Sequence, residues 1–135
     1  VRRIIQVGQR ALGSARRGEL DDAASWGVTF VPARRVHAEG IGAAIAAIEP
    51  GARVVISIDC DALDPGIMPA VQAPTPGGLD YWQIADLIAA VAGRARIVGF
   101  DVIEFMPARD LTGAAAYLVG RLFWHAIGQV ARNAR

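Results

Sequence analysis

Four short apolar runs along the chain predict β-strands. They lie at residues 4–7, 28–31, 54–58 and 97–102. Gly8 follows the first run and Pro32 follows the second, and both residue types favour the end of a strand. The third run is apolar at every position except Ser57, which is typical of a central strand covered on both faces of a parallel sheet.

Stretches with the apolar spacing of helices separate or follow these runs. The predicted helices cover residues 16–26, 38–48, 81–92 and 112–131. Residues typical of helix boundaries support these ranges. Ser14, Asp80 and Thr112 are candidate N-caps at helix starts, and Gly27 and Gly93 are candidate helix ends. Because strands alternate with helices, the pattern predicts parallel βαβ units in a three-layer α/β/α fold with a mainly parallel sheet.

Residues 59–80 interrupt the alternation, since this segment is rich in proline and glycine. Such a composition predicts a long, stiff loop rather than a helix or strand. In parallel α/β sheets, reactive groups collect where strands end at their carboxyl side. The candidate chemistry should therefore lie in residues 58–64 and 102–107.

An acidic pair stands at the first of these places. Asp59 and Asp61 follow the most apolar strand, and residues i and i+2 of a strand project to the same side. Two neighbouring carboxylates repel each other, and a hard divalent cation such as Mg²⁺ or Mn²⁺ relieves the repulsion. A metal site and a pair of solvated turn acids both remain open on spacing alone.

The neighbours of this pair have simpler interpretations. Asp64 precedes Pro65, a position where aspartate commonly accepts hydrogen bonds from turn amides, so it is expected to brace the loop, with a direct role equally open. Cys60 should point away from the two acids and pack as an inert thiol.

Other acidic motifs fit less well. A calcium EF-hand loop requires an oxygen ligand at position 5 and glycine at position 6, where this chain has Leu63 and Asp64. A phosphotransferase with an aspartate nucleophile would have a small hydroxyl residue soon afterwards, and Ala62 and Leu63 do not provide it. A nucleotide-sugar transferase that holds Mn²⁺ with an Asp-x-Asp pair stays open.

Composition narrows the class of protein. The 135 residues carry 14 basic and 13 acidic side chains, a formal charge of +1, which gives no indication of a nucleic-acid partner or an anionic membrane surface. The apolar runs are shorter than the roughly 20 residues of a membrane span. A single cysteine excludes a disulfide framework and favours a reducing compartment, so we predict a soluble, cytoplasmic protein.

Several spaced motifs together resemble the ureohydrolase family of arginases and agmatinases. They are SIDCDALDP at residues 57–65, MPA at 68–70, PTPGGL at 74–79, VGFDVIEFMP at 98–107 and IQVGQR at 5–10. The resemblance extends over residues 1–135 as the C-terminal half of a single ureohydrolase domain. The residues of the MPA and PGGL segments are more similar to those of agmatinase-like enzymes and guanidino-acid hydrolases than to those of animal arginases.

The resemblance implies an arginase-like fold and a hydrolase with two Mn²⁺ ions, bridged by a hydroxide that attacks a guanidinium carbon and releases urea. Asp59 and Asp61 would be metal ligands, and Glu104 would bind the substrate guanidinium. Asp101 would be a buried, hydrogen-bonded group behind the ligands. The family also implies a homo-oligomer, a trimer or a hexamer.

The chain departs from the family pattern in two respects. Ala73 stands where the family commonly has a small hydroxyl residue, which puts substrate placement there in doubt. The His-bearing metal motifs of the family do not occur, and the two histidines have other expected places: His37 solvated in a loop before a helix, and His125 packed or exposed on the last helix. Two aspartates are too few for two Mn²⁺ ions, so we expect the first half of the enzyme to lie outside this chain and the 135 residues alone to be inactive.

Aromatic and basic residues elsewhere have structural interpretations. Trp26, Trp82 and Trp124 are expected to pack against the sheet, and the arginine pairs at 16–17 and 34–35 to be solvated.

The leading hypothesis is Mn²⁺-dependent hydrolysis of a linear guanidino compound, agmatine or a guanidino acid before arginine, as in polyamine metabolism. The alternatives are a non-catalytic fragment or pseudo-enzyme with an assembly role and, third, the nucleotide-sugar transferase.

Overall fold

The computed structural model describes residues 1–11, 15–16 and 18–133. These residues contain four strands: β1 (Ile5–Val7), β2 (Thr29–Val31), β3 (Arg53–Asp59) and β4 (Arg96–Ile103). In the same ranges there are five α-helices: α1 (Glu19–Trp26), α2 (Ala33–Glu39), α3 (Gly42–Ala46), α4 (Tyr81–Arg94) and α5 (Ala114–Asn133). Single 3₁₀ turns lie at Cys60–Ala62 and Pro107–Arg109. None of the described helices is both long enough and apolar enough to cross a bilayer.

The strands of the described residues pair in parallel, which confirms the predicted α/β class. β1 pairs with β2, and β3 pairs with β4 from Arg53 opposite Arg96 to Asp59 opposite Ile103. Within the described ranges the hydrogen bonds form two separate pairs of strands rather than one continuous sheet. A register shift between Val54 and Val55 interrupts the second pair near its start.

The main core joins the second strand pair to its helices and to the long loop. Its largest fully buried side chains come from β2, α2, the 59–80 segment and helices α4 and α5: Val31, Val36, Cys60, Leu63, Met68, Val71, Leu79, Ile88 and Leu122. Burial of each large aliphatic side chain contributes about 1.5–3 kcal/mol. Because five of these residues belong to the 59–80 segment, the loop is part of the core and not a surface connection.

The prediction that the third strand is covered on both faces is wrong for the described residues. Val54, Ile56 and Ile58 point towards the core and are partly or fully buried, whereas Val55 and Ser57 on the other face are exposed. Helices α4 and α5 contact β4 and cover the inner face of this strand pair. An apolar sequence alone did not distinguish one covered face from two.

The predicted helix 38–48 is two helices. Pro32 ends β2 as expected, but it also precedes the first residue of α2, so this helix begins five residues earlier than predicted. Gly40 has φ 77°, a left-handed conformation that glycine adopts without strain, and it separates α2 from α3. His37 consequently lies on α2 and not in a loop.

Other helix ends follow their predicted signals in part. Asp80 caps α4: its carboxylate accepts a hydrogen bond from the Gln83 amide at 2.8 Å, and the Gln83 side chain accepts one from the Asp80 amide at 2.9 Å. Gly27 ends α1 as predicted, whereas α4 continues through Gly93 to Arg94. Ser14 lies outside the described residues.

The three tryptophans are not packed as expected. Trp26, Trp82 and Trp124 are 56%, 71% and 69% exposed, so the prediction that they pack against the sheet is wrong for this chain. Helical periodicity identified their helices correctly, but each side chain is more than half exposed.

The last helix begins at an unexpected cap. Thr112 Oγ1 accepts a long hydrogen bond from the Ala114 amide at 3.3 Å. Asp110 does more, since its two carboxylate oxygens accept hydrogen bonds from the amides of Ala115 and Ala116 at 3.3 and 2.8 Å. A carboxylate at this position also interacts favourably with the helix dipole.

We predict that Asp110→Ala lowers the free energy of unfolding by about 1 kcal/mol, because two amides at the start of α5 lose their acceptor. Thr112→Ala should have the smaller effect. Urea unfolding of the two variants and the unaltered protein measures the difference, and an equal or larger loss for Thr112→Ala would contradict this assignment of the cap.

Candidate active site

The carboxyl ends of β3 and β4 bring the predicted acidic residues to one edge. Asp59 is the last residue of β3 and lies opposite Ile103, the last residue of β4. Glu104 follows Ile103 directly, so the backbones of Asp59 and Glu104 are neighbours across the strand pair. Both side chains are exposed at this edge.

Asp61 reaches the same edge by a different route from the predicted one. The strand ends at Asp59 and Asp61 lies in the 3₁₀ turn Cys60–Ala62, so the argument from strand alternation is wrong. The turn places the Asp61 amide 2.8 Å from Asp59 Oδ1, which accepts its hydrogen bond. Asp61 Oδ1 in turn accepts a hydrogen bond from the Ala73 amide at 3.3 Å.

Cys60 lies beneath these carboxylates. Its side chain is buried in the main core, as predicted for a packed thiol. Burial, followed in order of strength by the negative charges of Asp59, Asp61 and Glu104, raises the pKa of the Cys60 thiol to about 11. The negative charges of all three carboxylates therefore act on this one thiol.

Glu104 has a backbone conformation that is unfavourable for its residue type. Its φ is 60°, in the left-handed region that favours glycine. A non-glycine residue held there costs about 1–3 kcal/mol and occurs preferentially at functional positions, where the surrounding structure enforces it. This conformation changes the direction of the backbone directly after β4.

Asp101 departs from its expected surroundings. It is exposed on the outer face of the strand pair, so the prediction of a buried group is wrong. The predicted hydrogen bonding is present, since Ser57 Oγ donates to Asp101 Oδ1 at 2.5 Å across the two strands. Ser57 and Asp101 are both exposed because helices α4 and α5 cover only the opposite face of the strand pair.

Asp64 braces the loop, as predicted. Its Oδ1 accepts a hydrogen bond from the Gly66 amide at 2.9 Å, and its Oδ2 accepts from Gly77 and Gly78 at 2.9 and 3.2 Å. These amides, that of Gly66 most strongly, and the charge of Arg10 lower the pKa of Asp64 below its usual range. One carboxylate thus joins the two ends of the 64–78 segment.

Arg10 is a structural residue that the sequence analysis did not assign. Its guanidinium donates to Leu63 O at 3.1 Å and to Thr75 O at 3.0 and 2.6 Å. The turn after β1 is therefore fixed to both sides of the loop. The arginine two residues beyond a strand-ending glycine was the available signal.

Gly78 allows the loop to close. The backbones of Leu63 and Leu79 form a parallel bridge, and a Cβ built on Gly78 would lie 2.3 Å from the Leu63 carbonyl carbon. His37, on the exposed side of α2, donates from Nε2 to Gly78 O at 2.9 Å and accepts from Gln83 Nε2 at 3.2 Å. His37 is therefore hydrogen-bonded to the loop, and the prediction of a merely solvated side chain is wrong. His125 donates to Ala85 O at 3.0 Å, as predicted for a packed histidine.

Hydrogen bonds to the backbone of residues 70–73 hold this segment between the ends of β3 and β4. The Met106 amide donates to Ala70 O at 2.8 Å, and Arg109 Nη1 donates to Val71 O at 2.6 Å and to Gln72 O at 3.1 Å. On the other side, the Ala73 amide donates to Asp61. Arg109 is a second structural arginine that the sequence analysis did not assign.

The donor chemistry of this edge suits a hard cation, but the number of donors is too small for a complete centre. Asp59 and Asp61 offer carboxylate oxygens, the ligand type that Mn²⁺ and Mg²⁺ prefer. In the part of the chain that the structure describes, no three His, Cys, Asp or Glu side chains are arranged to hold a metal ion. The two aspartates fit as part of a ligand set that further groups would have to complete.

Residues 1–128 match the sequence model of the arginase family. The chain belongs to the arginase family. The resemblance inferred from the spaced motifs is thereby confirmed.

Individual relatives agree with this membership. The chain is 42% identical over 125 residues to the N(1)-aminopropylagmatine ureohydrolase of Thermus thermophilus, an alignment that covers 93% of this chain and 41% of that protein. The solved structure of proclavaminate amidinohydrolase from Streptomyces clavuligerus superposes with a TM-score of 0.81 at 30% identity, covering 96% of this chain and 43% of that one. Agmatine ureohydrolase of Thermoplasma volcanium gives a TM-score of 0.80 at 32% identity, covering 95% and 42%.

These structures confirm the arginase-like fold. The chain spans about 41% of the length of the Thermus relative, close to the half of an arginase-family enzyme that the motifs indicated.

We predict that Gly78→Ala lowers the free energy of unfolding by about 3 kcal/mol, because its methyl group would overlap the Leu63 backbone. Gly93→Ala is the matched control. That position lies in α4 with open space around its Cβ, so alanine should stabilise the protein by about 0.5–1 kcal/mol. Chemical unfolding of both variants tests the pair, and equal stabilities would contradict the close approach at Gly78.

We also predict that Asp64→Asn lowers the melting temperature at neutral pH and has less effect in acid. Since folding lowers the pKa of Asp64, its contribution is present above the unfolded value of about 4 and is lost as the pH falls through the folded value. Melting temperatures from pH 2 to 7 should therefore converge for the two proteins below about pH 4. Asp86→Asn, at an exposed position on α4, should leave the pH profile unchanged.

Proposed function

We propose that this chain forms part of a Mn²⁺-dependent hydrolase that converts a linear guanidino compound to urea and an amine. The observation that carries the proposal is that Asp59, Asp61 and Glu104 all lie at the carboxyl edge of one parallel strand pair. Membership of the arginase family supports the reaction class.

Asp59 and Asp61 are the metal-holding residues in this proposal. Each uses Oδ1 to accept a backbone hydrogen bond, which fixes the carboxylate plane and leaves Oδ2 without a hydrogen bond to any described residue. Bound Mn²⁺ would act as a Lewis acid that activates water for attack on the guanidinium carbon. The remaining ligands would come from groups beyond these two aspartates.

Glu104 orients the substrate in this proposal. A planar guanidinium is well matched by a carboxylate that accepts two parallel hydrogen bonds. The left-handed backbone of Glu104 fixes the direction in which its side chain leaves the end of β4. The guanidinium carbon is thereby held at the same edge as Asp59 and Asp61. Holding the reactants in place in this way lowers the entropic cost of reaching the transition state.

The substrate we place first is a guanidino compound with an amine tail, agmatine or a related polyamine, followed by a guanidino acid and then by arginine. The name of the Thermus relative, an aminopropylagmatine ureohydrolase, supports this order. A cytoplasmic location and assembly into a trimer or hexamer are further parts of the proposal.

The test is urea release by the protein expressed from its complete coding sequence, with Mn²⁺ and agmatine, 4-guanidinobutyrate or arginine. We expect hydrolysis that chelation abolishes and Mn²⁺ restores. Failure to hydrolyse any of the three with Mn²⁺ supplied would refute the proposal, and folding without metal binding would instead favour the assembly role.

Substitutions separate the proposed roles. Asp59→Asn and Asp61→Asn should each lower kcat/KM at least 100-fold and reduce bound manganese, because a ligand charge is removed. Glu104→Gln should lower kcat/KM by about 10–100-fold while metal content is unchanged, since a charge-assisted hydrogen bond to the substrate is lost.

Asp86→Asn serves as the control for these substitutions, because it removes an exposed carboxylate on α4. It should leave both activity and manganese content unchanged. Normal metal content in Asp59→Asn together with Asp61→Asn would contradict their assignment as ligands.

A further inference from the structure

One peptide group joins Arg109 to Asp61. The carbonyl oxygen of Gln72 accepts a hydrogen bond from Arg109 Nη1 at 3.1 Å, and the amide of Ala73 donates to Asp61 Oδ1 at 3.3 Å. This oxygen and this nitrogen belong to the same peptide unit, whose atoms lie in one plane. The arginine therefore holds one end of a rigid group whose other end contacts a proposed metal ligand.

The orientation of this peptide group matters because the bond to Asp61 is long. Hydrogen bonds from nitrogen to oxygen are most often about 2.9–3.0 Å long. The Ala73 nitrogen lies 3.3 Å from Asp61 Oδ1, and a contact of this length orients the carboxylate only if the donor is itself held in place. Ala73 has no polar side-chain atom, so its backbone amide is the group with which it binds Asp61.

Arg109 is itself held at a defined position beside this peptide group. Its Nη1 also donates to the Val71 carbonyl at 2.6 Å. Its backbone amide donates to Met106 O at 2.9 Å within a 3₁₀ turn, and the Met106 amide donates to Ala70 O at 2.8 Å. Because Met106 lies two residues after Glu104, these bonds join the segment after Glu104 to residues on both sides of the peptide group.

The hydrogen bonds of Arg109 to other described residues go to carbonyl groups rather than to an acid. The ion pairs found in the described residues join Arg16 to Glu19 and Arg35 to Glu39. A cationic donor polarises the carbonyl that it binds, and this strengthens the hydrogen bond that the amide of the same peptide group donates. The guanidinium therefore strengthens this donor as well as orienting it.

We infer that Arg109 is a positioning residue for the metal-holding carboxylate of Asp61. It acts through the peptide group between Gln72 and Ala73 and touches neither the metal nor the substrate. The inference rests on the proposed Mn²⁺-dependent hydrolysis. It adds to that proposal a contact on which the affinity for Mn²⁺ depends.

The first test is the affinity of the complete protein for Mn²⁺ after Arg109→Met, which keeps most of the length of this exposed side chain and removes its donors. We expect the dissociation constant to rise about tenfold, because groups that orient a metal ligand commonly contribute roughly 10- to 100-fold to affinity. Electron paramagnetic resonance of free Mn²⁺ during a titration measures this constant without substrate. An unchanged constant would overturn the inference.

Arg94→Met is the matched control. Arg94 Nε donates to Ile48 O at 2.6 Å, so this arginine also holds a carbonyl, but it lies at the end of α4, two residues before β4 begins. Both substitutions should lower the melting temperature, whereas Arg109→Met alone should weaken Mn²⁺ binding. Equal losses of affinity in the two variants would indicate a general effect of stability and overturn the inference.

Arg109→Lys is the conservative variant. An ammonium group can donate to the same carbonyls but lacks the planar guanidinium, so its dissociation constant for Mn²⁺ should lie between those of the unaltered protein and Arg109→Met. A constant as high as that of Arg109→Met would contradict a role for the donated hydrogen bonds and overturn the inference.

Urea release separates this inference from the proposed function. In Arg109→Met, the Mn²⁺ concentration that gives half-maximal activity should rise by the same factor, with kcat and KM for agmatine unchanged at saturating Mn²⁺. A lower kcat with unchanged Mn²⁺ affinity would overturn the positioning role. Urea release with equal affinities removes only the role of Arg109, Mn²⁺ binding without urea release from any guanidino compound removes the proposed function, and an unaltered protein that binds no Mn²⁺ removes both.

Discussion

Parallel pairing of β3 with β4 is the constraint on which the candidate site depends. Because the strands run in the same direction, their carboxyl ends meet at one edge, and the register places Asp59 opposite Ile103. An antiparallel pair would have separated Asp59 and Glu104 by the length of a strand. The chemistry of the site therefore begins with backbone hydrogen bonds rather than with the acidic side chains themselves.

The loop after β3 turns this edge into a rigid arrangement. Asp64 gathers three glycine amides, Arg10 binds two carbonyls, and Arg109 binds two more. Each of these groups satisfies backbone atoms that a proline- and glycine-rich segment cannot pair within a helix or sheet. Asp64, Arg10 and Arg109 thus stabilise the backbone of the loop. Asp59 and Asp61 nearby each retain an Oδ2 that accepts no hydrogen bond from a described residue.

Much of the fold and the candidate residues could be predicted from local patterns. The strand runs, the Asp80 cap and the loop-bracing role of Asp64 depend on neighbours in sequence, and the structure confirms them. The position of Asp61, the exposure of Asp101 and the roles of Arg10 and Arg109 could not be predicted in the same way. They depend on a turn after the strand, on which face a helix covers, and on partners more than 35 residues away.

The sequence by itself determined that residues 1–128 belong to the arginase family and which acids stand at the strand ends, because motif spacing and hydrophobic periodicity are properties of the chain alone. The tertiary structure decided that these acids meet at one edge of the strand pair and that Glu104 adopts a left-handed backbone. Those features arise from long-range packing and hydrogen bonds, whose free energies depend on residues distant in sequence and close in space.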